Sequence, residues 1–213
     1  MHRLALSLVF LCFAGVGSTH AQAAPPAATQ SGWIRGEKIH IDGVPNAGKV
    51  SEQLYRGAQP HIASMALLKE MGITTVVDLR AEDAVMRERE AKEAGRLGIH
   101  FVSIPVGGWA NPTNEQIAQF LALFERDPRE RVFVHCHYGE DRAGLFVATY
   151  RMAIQKWTAE QALGEMYEFG FHGLWHPHMA SFVRKFPARL TSVPALAKVS
   201  SPAPSVSTII SPN

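Results

Sequence analysis

The chain has 213 residues, 46% hydrophobic and 19% charged, with a formal net charge of +2. That suits one globular domain large enough to bury a real core. The near-neutral balance excludes a strong field for nucleic acid or an acidic membrane surface, and no Lys/Arg block stands out.

Residues 1–23 read as a secretory signal. "MHR" is a short positive start, and residues 4–16 form an apolar stretch of about thirteen residues, too short to span a bilayer. Small residues in "STHAQA" offer cleavage after Ala21 or Ala23, which implies an exported, periplasmic or secreted protein with no stable membrane insertion. Cleavage removes Arg3, taking 21 basic residues to 20 against 19 acidic, so the mature charge is +1. It also removes Cys12, one of two cysteines. Cys136 then has no internal disulfide partner, and a lone thiol in an exported chain flags reactivity or intermolecular pairing. Ala/Pro-rich residues 24–33 read as a flexible linker. Residues 34–190 are the folded domain, and Ser/Pro-rich residues 191–213 are an expected disordered tail.

Strands and helices alternate within the domain. Residues 73–79, "ITTVVDL", are a short β-branched strand, followed by a charged helix over 81–98 that Gly98 closes. Residues 99–106, "IHFVSIPV", form the next strand. The helix of 112–127 has Thr113 as N-cap and helical spacing of Ile117, Phe120, Leu121 and Phe124. Residues 131–136, "RVFVHC", are a third buried strand, with a helix over 143–155. A further helix over 158–170 starts with a Thr158/Gln161 capping box and stops at Gly170. This order predicts an α/β domain with a mainly parallel sheet.

Cys136 ends the third strand, where such sheets bind ligands and helix N-termini point at them. The loop of 137–142 contains Gly139 and feeds a helix. Successive backbone N–H groups turned inward there make an anion cradle. That field and Arg142 favour a thiolate at Cys136, and the Arg142 guanidinium can grip two phosphoryl oxygens in a fork. Phosphoryl transfer needs mainly such positioned donors.

Cys-x5-Arg, preceded by His135 and followed by Ala143-Gly144, resembles the signature loop of the cysteine-dependent protein tyrosine and dual-specificity phosphatases. "LYRGAQP" (54–60), "GITTVVDLR" (72–80), "IPVGGWANPTNEQI" (104–117) and "EQALGEMYEFGF" (160–171) are similar to matching segments of small bacterial members. The resemblance covers about residues 40–187. It implies a three-layer domain whose central sheet has about four to five strands flanked by helices. It also implies a phosphatase needing no metal or other cofactor. By the same carry-over, Cys136 attacks phosphorus. Arg142 and the backbone of His137, Tyr138, Gly139, Glu140 and Asp141 bind phosphoryl oxygens, and His135 orders the loop.

Two positions depart from that pattern. Ala143 stands where the family usually has Ser or Thr to help the thiolate leave, which implies a slow second step. The loop of 106–114 lacks the usual acidic residue, so Asp141 is the substitute general acid, within reach of a leaving oxygen. Its alternative role is a structural carboxylate. Glu140 reads as a loop charge or specificity element.

Competing readings accompany these. Cys136 could be a small buried hydrophobe, or a metal ligand with His135 and His137, although alternation points it away from both. "FHGLWHPHM" places His172, His176 and His178 at zinc-like spacing, but no carboxylate or thiol accompanies them, so they read as surface or cap histidines. Trp109 either contacts substrate or packs over the cradle. Arg56 and Arg80 are expected to pair with the "EREAKE" helix charges. Tyr55 reads as core, and Tyr150-Arg151 as packing plus surface charge. The expected partner is a phosphorylated protein or phospholipid. Few basic residues near the cradle speak against highly charged inositol phosphates. The rivals are a phosphate-binding module that no longer turns over and a persulfide sulfur carrier.

Overall fold

The computed structural model describes residues 34–200. The expected signal segment, the linker and residues 201–213 lie outside them. Six strands form one sheet: β1 (Glu37–Lys38), β2 (Gly48–Lys49), β3 (Leu54–Ala58), β4 (Thr75–Arg80), β5 (His100–Val106) and β6 (Val132–Cys136). Their spatial order is β1-β2-β3-β6-β4-β5. The four longer strands pair in parallel, and the two-residue strands add antiparallel at one edge. This is the expected parallel sheet, widened by two short strands.

Helices cover both faces, which gives three layers. On one face α1 (Met65–Glu70) and α2 (Ala84–Leu97) pack Met65, Leu68 and Ala94 against Val76 and Phe133. The other face carries α3 (Asn114–Leu121), α5 (Asp141–Ala153), α6 (Ala159–Glu168) and α7 (Pro177–Ser192), over Val77, Leu79, Val132 and Val134. Side chains alternate between the two cores along each strand, the period of two that a doubly covered sheet demands. Helix α5 is buried from Arg142 to Ala153, so it forms the centre of the larger core.

Both threonine capping boxes form, at Thr113/Gln116 and Thr158/Gln161. The helix expected over 112–127 is broken at Ala122 into α3 and α4 (Leu123–Arg126). Pro177 starts α7, where its missing N–H costs nothing. The tail boundary at 190 is corrected: α7 runs through Ser192 and α8 is Pro194–Ser200, with Leu196 fully buried in the larger core. Leu196, with Val193 packed beside it, anchors this Ser/Pro-rich stretch to that core. No helix among the described residues is long and apolar enough to cross a membrane.

Candidate active site

Alternation along β6 decides what faces what. Val132, Val134 and Cys136 face the α5 core, and Phe133 faces α2. His135 follows Phe133 to the α2 side, where it is fully buried. Its Nε2 lies 2.8 Å from Glu90 Oε1 of α2, without the alignment of a formal hydrogen bond. Its Nδ1 lies 3.4 Å from the Cys136 carbonyl oxygen. Arg80 completes this buried group, donating to Asp78 at 2.9 and 3.0 Å and to Glu90 Oε2 at 2.7 Å. The expected pairing of Arg80 with the α2 charges is therefore observed.

The loop between β6 and α5 is held from outside by its carbonyl groups. Arg56 Nη2 donates to the Gly139 carbonyl at 2.6 Å and to that of Glu140 at 3.3 Å. Asn46 Nδ2 donates to the same Gly139 oxygen at 3.2 Å, and the Gln59 amide to the His137 carbonyl at 3.3 Å. The amides from Tyr138 to Arg142 donate to no protein acceptor among the described residues. A loop with its carbonyls tied back and its amides free, ahead of a helix N-terminus, is an anion cradle. Gly139 allows this path. Its φ is +73°, and a Cβ there would lie 2.4 Å from the Gly57 carbonyl carbon.

Two guanidinium groups sit within electrostatic reach of Cys136, which is 3% exposed. Arg142 donates to Glu82 at 2.8 and 2.7 Å and to the Val106 carbonyl at 3.0 Å. Those three bonds leave it further N–H groups for an anion. Burial, the largest single influence, works against the Arg142 charge, but the Glu82 hydrogen bonds together with the charges of Cys136, Glu82 and Asp78 outweigh it and hold the guanidinium above its ordinary value. The same bonds hold the Glu82 carboxyl down at about 2. Arg56 is fully buried and lies 4.3 Å from the Phe169 ring centre. Burial pulls it down to about 10, opposed by the charges of Glu165 and Cys136.

Asp141 opens α5 at the rim. Its Oδ1 accepts the His172 amide at 3.0 Å, and its Oδ2 lies 3.6 Å from His176 Nε2. Trp109 is 69% exposed and lies against the His176 ring, centroids 4.5 Å apart. That contact brings the loop after β5 to the rim. Glu140 Oε2 lies 3.3 Å from His172 Nδ1, and burial pushes the Glu140 carboxyl up, with His172 opposing. His137 and Tyr138 are exposed, edge to face at 4.3 Å.

Two expectations change. Arg56 reaches the cradle carbonyls rather than α2. Arg151 is buried in an ion pair with Glu165 rather than being a surface charge. Of the surface-or-cap reading of the 172–178 histidines, His176 takes the cap: it is the N-cap of α7 and is 8% exposed beside Asp141. His135, Cys136 and His137 do not converge, and among the described residues Cys136 joins no group of closely placed metal-ligating side chains. Asn46, Glu82 and Glu90 were not singled out. Glu82 had a signal: it lies just past the carboxyl end of β4, on the edge where parallel sheets place their ligands.

A family model described as "DSP-PTPase phosphatase fused to NAD+ Kinase" matches residues 38–180. The dual specificity protein phosphatase TpbA of Pseudomonas aeruginosa is 32% identical over 170 residues, covering 79% of this chain and 72% of TpbA. The crystal structure of P. aeruginosa TpbA superposes with a TM-score of 0.57 at 24% identity, over 75% of this chain and 99% of that one. A cysteine-to-serine form of TpbA in complex with pTyr gives 0.56 at 24% identity over the same shares, 75% and 99%. The core catalytic domain of the PP-IP phosphatase SIW14 from S. cerevisiae gives 0.57 at 16% identity, over 73% of this chain and 98% of that one.

Proposed function

The chain belongs to the DSP-PTPase family and is a phosphatase, and on that premise we propose that it hydrolyses phosphate monoesters through a cysteinyl-phosphate intermediate on Cys136. The observation that carries this reading is the cradle. Unpartnered amides from Tyr138 to Arg142 follow a cysteine that ends β6, within electrostatic reach of two arginines. Donors fixed before the reaction need no reorganisation as charge develops on the equatorial oxygens.

The Cys136 thiolate attacks phosphorus, the S–P bond forms, and the bond to the leaving oxygen breaks. The leaving oxygen takes the proton of Asp141. Water then attacks phosphorus and gives its proton to the Asp141 carboxylate. The S–P bond breaks, releasing inorganic phosphate and restoring the thiolate. Arg142, braced by Glu82, and the free amides hold the phosphoryl oxygens throughout.

A phosphoprotein is the substrate class that the surroundings support best. Beside the cradle lies a groove of about 650 Å³ lined by Pro45, Ala58, Pro60, Ile62, Met86 and Tyr138, among others, with no Lys or Arg in its lining. A polyphosphorylated headgroup would call for basic residues there. TpbA, the 32% identical relative, is a dual specificity protein phosphatase, and its solved complex contains pTyr. The apolar segment of residues 4–16, followed by small residues, supports export to the periplasm or beyond.

The test is hydrolysis of an aryl phosphate and of phosphotyrosyl and phosphoseryl peptides, under reducing conditions with a chelator. Cys136→Ser should abolish turnover. Asp141→Asn should reduce it, most for poor leaving groups. A parent protein that binds vanadate without turnover would replace this reading with a phosphate-binding module.

A further inference from the structure

Asn46 has an unusual backbone. Its φ is +50°, in the left-handed region that asparagine tolerates better than most residues. The segment is pinned there, because the Pro45 carbonyl accepts the Ala58 amide at 2.8 Å, at the end of β3 that lies opposite Cys136. That path delivers the Asn46 carboxamide between two main-chain carbonyl groups from distant parts of the chain. Asn46 Nδ2 donates to the Gly139 oxygen at 3.2 Å and to the Phe169 oxygen at 2.9 Å. Both partners can only accept, so the amide nitrogen is the atom that faces them.

Each bond acts on a different part of the site. With Arg56 on the same atom, the Gly139 oxygen has two donors, one for each lone pair. A planar trans peptide points its C=O and the following N–H in opposite directions. Tying this oxygen back therefore aims the Glu140 amide into the cradle. The Phe169 oxygen belongs to the turn after α6, and three residues on the His172 amide donates to Asp141 Oδ1 at 3.0 Å. Between them Gly170 passes so close to the Glu140 side chain that a Cβ would lie 3.1 Å from it. The Arg56 guanidinium donates only to the loop, whereas the Asn46 carboxamide spans loop and turn.

We propose that Asn46 is a positioning residue for the phosphatase reaction, which holds the cradle and the Asp141 carboxylate in one geometry. It acts on the bound phosphoryl group through the Gly139 peptide, and on Asp141 through the turn from Phe169 to His172. The second action rests on the phosphatase reading with Asp141 as general acid. The first needs only an anion in the cradle.

Asn46→Gly tests this, because glycine takes the left-handed backbone freely and only the carboxamide is lost. The variant should keep a cooperative melting transition and raise the vanadate dissociation constant by about tenfold. Its loss in kcat/KM should be about threefold larger for an aryl phosphate with a poor leaving group than for one with a good one, as a misplaced acid requires. A packing role alone would lower the melting temperature and move neither of these. Asn46→Asp keeps the shape but turns a carboxylate towards two carbonyl oxygens, so it should weaken vanadate further than Asn46→Gly. It carries the same readouts if the glycine variant does not fold. Parent-like vanadate affinity in either folded variant overturns the proposal. An equal loss across leaving groups overturns the link to Asp141. A parent that binds vanadate without turnover fails the phosphatase reading instead, and the vanadate comparison then decides the action on the cradle by itself.

Discussion

Arg56 Nη2 donates a 2.6 Å hydrogen bond to the Gly139 carbonyl oxygen across 83 residues of sequence. The guanidinium lies fully buried beneath the loop it holds, and its Nε and Nη1 have no hydrogen-bond partner. Burying that charge is expensive, and what it secures is the direction of the loop peptides. Arg56→Met should therefore raise the vanadate dissociation constant and KM, with kcat/KM falling by about 100-fold. Arg56→Lys should not restore it, because one ammonium cannot reproduce the planar fork. Unchanged vanadate affinity in Arg56→Met would reduce Arg56 to a packing role.

Gly139→Ala should damage both folding and phosphate binding. The left-handed backbone alone costs about 1–2 kcal/mol for a residue with a Cβ. The added carbon would also lie 2.5 Å from the Ala58 amide nitrogen, in backbone that cannot move aside cheaply. A lowered melting temperature together with lost vanadate protection is the expected result. An unaltered melting curve would mean that the loop can take another path.

The Glu82–Arg142 pair sets an acid limit. The folded-state carboxyl of Glu82 is held down at about 2, below its ordinary value near 4.5. A depressed carboxyl contributes stability above its unfolded value and loses it as pH falls through the folded one. Glu82→Gln should therefore flatten the fall in melting temperature between about pH 4.5 and 2. It should leave the shape of the pH–activity profile above pH 5 unchanged while lowering its height, since Arg142 loses its brace. A new acid limb in that profile would contradict this ordering.

Ala143 is fully buried directly after Arg142. With no hydroxyl there to help the thiolate leave, hydrolysis of the phosphocysteine should limit turnover. Rapid mixing with an aryl phosphate should show a product burst of about one per enzyme. Ala143→Ser should shrink the burst and raise the steady-state rate. An absent burst in the parent would assign the slow step elsewhere.

Cys136, Arg142 and their place after a buried strand were legible in sequence because they are local. Strand periodicity, one glycine and a six-residue span carry them. The caps at Thr113 and Thr158 were legible for the same reason, since each involves residues three apart. Arg56 was visible in "LYRGAQP" but was given the wrong partner. Its partner depends on β3 lying beside β6, with Ala58 opposite Cys136, and no local pattern encodes that register. The histidines of 172–178 looked isolated for a similar reason. Their carboxylates lie about thirty residues away and meet them only once α7 packs against α5. The sequence by itself determined the place of Cys136 and its glycine-containing loop after a buried strand and the parallel α/β order, because these rest on backbone propensities within short spans. The tertiary structure alone decided which charges are buried together. Burial forces each charge to find a partner, and packing chooses that partner from the whole chain.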